Sequence, residues 1–174
     1  HGHYDHTSGL YPLLSHAQKT LPVYIHEEAF ATRFSLGHAQ RRFVGIPYSK
    51  EQLSSLGADW QSIRAPAEIM PGVWLSGSVP RHTAYQTGDA KLVVHDEQNA
   101  CDCQDEIADD MALFIKSDEG LVVVSGCTHS GLVNMVQHGL AVTGCERLHG
   151  WIGGTHLGPV CVAQQTQTID ALLA

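Results

Sequence analysis

The hydrophobic and polar positions alternate between short β-type runs and helical faces along most of the chain. After a polar, glycine-bearing opening, Leu10, Leu13 and Leu14 share the face of a short helix, with Pro12 tolerated in its first turn. Residues 22–26 (PVYIH) form a β-prone run, and a helix is predicted from Glu27 to about Phe34. Between Leu36 and Tyr48 no period persists, and glycine, proline and the Arg41-Arg42 pair predict a mobile loop or lid. Ser49 followed by Gln52 reads as a capping box that starts a helix ending near Gly57. Residues 69–79 predict strands broken at Pro71-Gly72, and the acidic stretch from Glu97 to Asp110 predicts a loop. The clearest hairpin follows, with MALFIKS and LVVVSG flanking Asp118-Glu119-Gly120. A helix is expected over 131–142, where Leu132, Met135, Val136 and Leu140 share a face. Leu148 to Ile152 makes a further strand, and Pro159 opens a last helix through Leu173. The pattern is that of a mixed α/β (α+β) protein.

Composition narrows the function classes. The 174 residues suit one domain, 1–174, and 43% hydrophobic with 16% charged residues is an ordinary globular balance. A formal charge of −8 provides no broad basic field, so a small-molecule substrate is expected and nucleic acid is not. No apolar run approaches a bilayer span, so no membrane association is expected. Five cysteines cannot all pair within one chain, which points to a reducing compartment and a cytoplasmic location. Twelve histidines are many for this length and require an account, since neutral imidazole is a common metal ligand.

The opening string supplies that account. His1, His3, Asp5 and His6 place four donors within six residues. In an extended segment His1 and His3 project the same way, while Asp5 and His6 turn elsewhere as a helix begins, so two adjacent ions could be served. Imidazole and carboxylate suit zinc, and a catalytic site keeps a position open for water. The competing reading is a tag remnant or a solvated loop; tags usually repeat histidine, whereas here Gly, Tyr and Asp are interleaved. His129 and His156 each follow an apolar strand at glycine-rich punctuation, in GCTHSG and IGGTHLG. Either alone would more often be structural, but together with the opening string they read as distant ligands.

HGHYDH resembles the HxHxDH signature of the metallo-β-lactamase superfamily. GCTHSG, IGGTHL and GSVPRHT resemble segments of its dihydropterin-ribofuranosylaminobenzene-phosphate synthase-like branch. The resemblance spans nearly the whole chain and implies an αββα sandwich lacking the N-terminal β-rich segment that usually precedes HxHxDH. It also implies that His1 and His3 bind one metal and that Asp5 and His6 bind its neighbour, with His129 and His156 completing the pair. Many members carry a bridging aspartate where Cys127 stands, so Cys127 is either a thiolate ligand or a small buried side chain. The implied cofactors are two divalent metal ions, zinc first, with iron or manganese as alternatives. The implied activity is hydrolysis of an ester, lactam or phosphoester by a metal-bound hydroxide, with Asp5 as a catalytic residue. The alternatives are a synthase-like transferase joining a dihydropterin diphosphate to an aromatic amine, or a truncated metal-binding module without turnover. Missing strands would leave a homo-oligomer open as a way to complete the fold.

Other residues are weaker candidates. Arg81 and His82, in SVPRHT, could hold a phosphate or carboxylate of the substrate; an exposed loop is the plainer reading. Cys101 and Cys103 could bind a soft metal, act as a redox pair or be two free thiols, with free thiols favoured. Cys145 and Cys161 are read as structural, and His16, His26, His38, His95, His138 and His149 as surface or core residues. No Walker-type loop and no Ser/His/Asp motif is present.

Overall fold

A computed structural model describes residues 1–37 and 40–173, so His38 lies outside the described residues. In chain order the elements are helices α1 (Tyr4–Thr7) and α2 (Leu10–Ala17), strand β1 (Leu21–Ile25), a 3-10 turn (Glu27–Phe30), β2 (Arg33–Ser35) and β3 (Arg42–Phe43). Then come α3 (Lys50–Ser55), β4 (Ala58–Ser62), β5 (Ala67–Met70), β6 (Val73–Leu75), β7 (Leu92–Asp96) and β8 (Cys101–Gln104). The chain continues through β9 (Ala112–Ser117), β10 (Gly120–Ser125), α4 (Leu132–Thr143), β11 (Leu148–Ile152) and α5 (Val162–Leu173). These elements pack as two compact units, His1–Ile63 with Ala90–Asp105, and Arg64–Asp89 with Glu106–Ala174.

In the first unit β1 and β4 pair in parallel, and a four-stranded sheet runs β3-β2-β7-β8. Leu14, Ala29, Ile46 and Leu53 form its buried core, with Leu21, Ile25 and Trp60 packed against them. The capping box that starts α3 forms as read: Ser49 Oγ accepts from Gln52 N, and Gln52 Oε1 accepts from Ser49 N. Three local expectations are corrected. The helix over 27–34 is a single 3-10 turn followed by β2, because Arg33 is drawn into a buried ion pair with Asp105 at 2.7 Å and Phe34 pairs with Val93. The acidic loop over 97–110 contains β8, which pairs with β7. Within the expected lid over 36–48, Arg42 and Phe43 form β3, paired with β2.

The second unit holds a five-stranded sheet in the order β11-β10-β9-β6-β5. The β9–β10 hairpin forms as the alternation predicts, with Phe114, Leu121 and Val123 fully buried beneath Met135 of α4. Parallel pairing of β10 with β11 brings their C-terminal ends to the same edge of the sheet. That edge carries the GCTHSG and IGGTHLG loops.

Candidate metal centre

In the first unit the opening segment is seated tightly. Gly2 is required there, since a Cβ at that position would stand 1.9 Å from the Ala29 carbonyl oxygen. Tyr4 N donates to the Val44 carbonyl, and the His3 carbonyl accepts from His6 N, Thr7 N and Thr7 Oγ1 as α1 begins. This turn folds three imidazoles together: the His1 ring centroid lies 4.5 Å from that of His3 and 4.5 Å from that of His6. His3 is buried, His1 is half-buried, and Asp5 is exposed with Oδ2 at 3.6 Å from His6 Nε2. The sequence pairs His1 with His3 and His6 with Asp5; the fold also packs His6 against His1.

In the second unit, the ring centroids of His129 and His156 are 4.1 Å apart. Their two loops are stitched together by the backbone. Gly154 N donates to the Gly126 carbonyl at 2.7 Å, and Thr128 Oγ1 donates to the Gly154 carbonyl at 2.7 Å. Thr128 and His156 both adopt left-handed backbone, with φ of 62° and 44°, an unfavourable conformation for side-chain-bearing residues that clusters at functional sites. Cys127 is half-buried at the start of the first loop.

The donor set fits a cation. The Nε2 atom of His156 is buried and makes no hydrogen bond among the described residues, and Asp89 Oδ2 stands 3.8 Å from it. A buried imidazole nitrogen in that state incurs a desolvation cost that a metal bond would offset. Beside the two rings, a small hollow of about 20 Å³ is lined by Gln86, Thr128, Gly131, Thr155 and Gln164, enough room for a water.

Several residues that hold this second set escape a sequence reading. Asp110 is buried, and its Oδ2 accepts from both Ser130 N and Ser130 Oγ at 2.7 Å. Burial pushes its carboxyl above the usual carboxylate range, and the two Ser130 hydrogen bonds oppose that shift. Fully buried Asn134 accepts from His82 N and Thr83 N through Oδ1 and donates from Nδ2 to the Ser130 carbonyl. The signal was faint but present: Asn134 is the polar residue inside the apolar run LVNMV. Arg81 donates Nη1 to the His129 carbonyl at 2.9 Å and Nη2 to the Glu106 carbonyl at 2.8 Å, while His82 is exposed. Cys161, read as structural, is exposed instead, on the turn entering α5.

No family model matches the chain. A crystal structure described as a metal-dependent hydrolase of the β-lactamase superfamily superposes with a TM-score of 0.81 over 99% of this chain and 61% of that one, at 23% identity. The fold is that of the metallo-β-lactamases. The metallo-β-lactamase-like chain is also 29% identical over 175 residues to the 7,8-dihydropterin-6-methyl-4-(β-D-ribofuranosyl)-aminobenzene-5'-phosphate synthase of Methanocaldococcus jannaschii. That alignment covers 99% of this chain and 59% of the relative. An uncharacterised protein of the same organism is 30% identical over 157 residues, covering 90% of this chain and 56% of the relative. The resemblance in HGHYDH, GCTHSG and IGGTHL therefore agrees with both the fold and the alignments. No helix among the described residues is long and apolar enough to cross a membrane.

Proposed function

We propose that this protein is a metal-dependent hydrolase acting on a small ester, lactam or phosphoester. The observation that carries the reading is imidazoles packed ring to ring in each unit: His1 with His3 and His6, and His129 with His156. Imidazole is a common zinc ligand, and rings packed this closely put several such donors near one another, an arrangement that a bound cation would stabilise. The proposed ligands are His1, His3, Asp5 and His6 of the first unit, and His129, His156 and Cys127 of the second, for two divalent ions, zinc first. When bound, such ions supply Lewis acidity and lower the pKa of water. The histidine rings fix the donor geometry, and the exposed Asp5 carboxylate accepts a hydrogen bond from the attacking water and orients it. Arg81 and Asn134 hold the backbone of the His129–Ser130 loop, so the ring of His129 starts from a fixed position. The exposed thiols of Cys101, Cys103 and Cys161 fit a reducing, cytoplasmic setting.

A second reading, transfer of a dihydropterin group to an aromatic amine, is favoured by the synthase of M. jannaschii aligning over 99% of this chain. Product analysis separates the two: condensation with pterin-type substrates supports transfer, and cleavage alone supports hydrolysis. Elemental analysis of the purified protein, with turnover on the three substrate classes, tests the leading reading. His3→Ala and Asp5→Ala are expected to lose metal and activity together. Metal-loaded protein inert on all three classes, or both variants retaining full metal content, overturns it.

A further inference from the structure

Strand β8 is the edge of the four-stranded sheet, and it carries two thiols that the proposed hydrolysis does not use. Cys101 and Cys103 stand two residues apart, so strand alternation projects both to one face. Their Sγ atoms are 3.8 Å apart and both residues are exposed. The intervening Asp102 is clamped through its own side chain. Arg41 Nε and Nη2 donate to its two carboxylate oxygens at 2.8 Å each, and His95 Nδ1 meets Oδ1 at 2.8 Å. Arg41 is itself stacked on Phe34, its Cζ lying 3.3 Å from the ring centroid. Asp96 stands opposite Cys101 in the ladder, its carboxylate held by Gln98 N, Asn99 N and Asn99 Nδ2.

We propose that Cys101 and Cys103 form a bidentate dithiolate site for a soft divalent cation of the zinc and cadmium class, separate from the histidine donors. The spacing suits it: two zinc–thiolate bonds of about 2.3 Å at a tetrahedral angle put their sulfurs about 3.8 Å apart. The Asp102 clamp holds the strand residue between the thiols, so little ordering remains when the ion arrives. Binding releases two protons and changes no oxidation state, each S–H bond being replaced by a bond from sulfur to the metal. The surrounding charge agrees. The Cys101 thiol is pushed above its usual range, first by its hydrogen bond with Cys103 and then by desolvation and the nearby negative charge of Cys103, Asp96 and Asp102. Negative surroundings that disfavour a bare thiolate favour a cation beside it. A disulfide, by contrast, requires the sulfurs to close to about 2.05 Å and an oxidant to accept two electrons.

Cadmium titrated alone into the full chain under anaerobic, reducing conditions tests this, read by the thiolate-to-cadmium ultraviolet band and by bound metal. Relative to the unmodified protein, C101S/C103S is expected to bind about one equivalent less and to lose the corresponding part of the band. Either single variant is expected to weaken this site about tenfold or more, because the chelate's local concentration is lost. Asp102→Ala, which keeps both thiols, is expected to weaken it less, and Cys127→Ser to leave it intact. Unchanged cadmium number and band in C101S/C103S overturn the proposal. So does a Cys101–Cys103 disulfide by mass spectrometry whose reduction adds no cadmium binding. Activity of His3→Ala and Asp5→Ala is read separately, so failure of one proposal does not decide the other.

Discussion

Arg81 shows how a residue can be legible in the sequence while its contacts are not. A cation in a proline-bounded loop suggests an anion partner, yet two of its donors go to the carbonyls of His129 and Glu106. Only the fold brings residues 48 and 25 positions away within reach of its guanidinium. Charge-assisted hydrogen bonds contribute about 1.5–3 kcal/mol each, less where solvent competes, so Arg81→Met is expected to cost about 2 kcal/mol in urea unfolding. A cost near zero would show that these contacts hold nothing. Asp102 offers a test through pH. Hydrogen bonds from Arg41 and then His95 lower its pKa from the ordinary 3.8 to about 2. Because the folded value is the lower one, its stabilising contribution is present above about 3.8 and is lost as the pH falls through about 2. Carboxyl-carbon NMR is expected to give a midpoint near 2, moving toward 3.8 in Arg41→Gln; a wild-type midpoint already at 3.8 would contradict the contact. The opening string stands out in the sequence because four candidate ligands lie within six residues, and the fold packs the rings of His3 and His6 against that of His1. Asp110 and the contacts of Asn134 are not legible there, because the partners Ser130 for the first and His82 and Thr83 for the second are distant in sequence.

Among the elements, those readable from sequence are the ones whose own pattern decides them. The β9–β10 hairpin has two apolar runs and a glycine with φ of 130° at its turn, and α3 carries a complete capping box. The segment after Glu27 was misread because its strand identity comes from Val93 and Asp105, more than fifty residues on. Strands β4 and β7 likewise have identities completed by partners, Leu21–Ile25 for the first and Arg33–Ser35 with Cys101–Gln104 for the second. Helix α4 allows a quantitative test at Gly139. Alanine there gains about 1 kcal/mol of helix propensity. Its Cβ, however, would stand 2.8 Å from Leu121 Cδ2 and 3.0 Å from Phe114 Cε1, and both side chains are fully buried. Overpacking costs about 1–3 kcal/mol, so packing outweighs propensity and Gly139→Ala is expected to lower stability by about 1 kcal/mol. A stabilised variant in urea unfolding would mean that the core yields more easily than this contact allows.

For the whole molecule, the proposed donors are spread unevenly over the stability of the fold. The β9–β10 hairpin and α4 have a core of their own, Phe114, Leu121, Val123 and Met135, each fully buried. The segments that carry the proposed ligands, 1–7, 126–131 and 153–157, instead rest on backbone hydrogen bonds, close glycine packing and residues with positive φ. Elements held this way open at lower free energy than core strands, so a bound ion should act on them most. An ion at a thousand times its dissociation constant stabilises the folded state by about 4 kcal/mol. For a chain of this length each kcal/mol shifts the midpoint by about 2–4 °C, so chelation is expected to lower it by on the order of 10 °C. Hydrogen exchange locates the effect. Protection should fall in the three ligand segments after chelation while β9 and β10 change little. Uniform loss across the sheet would mean that metal supports the fold as a whole, and no loss anywhere would mean that these histidines hold no ion.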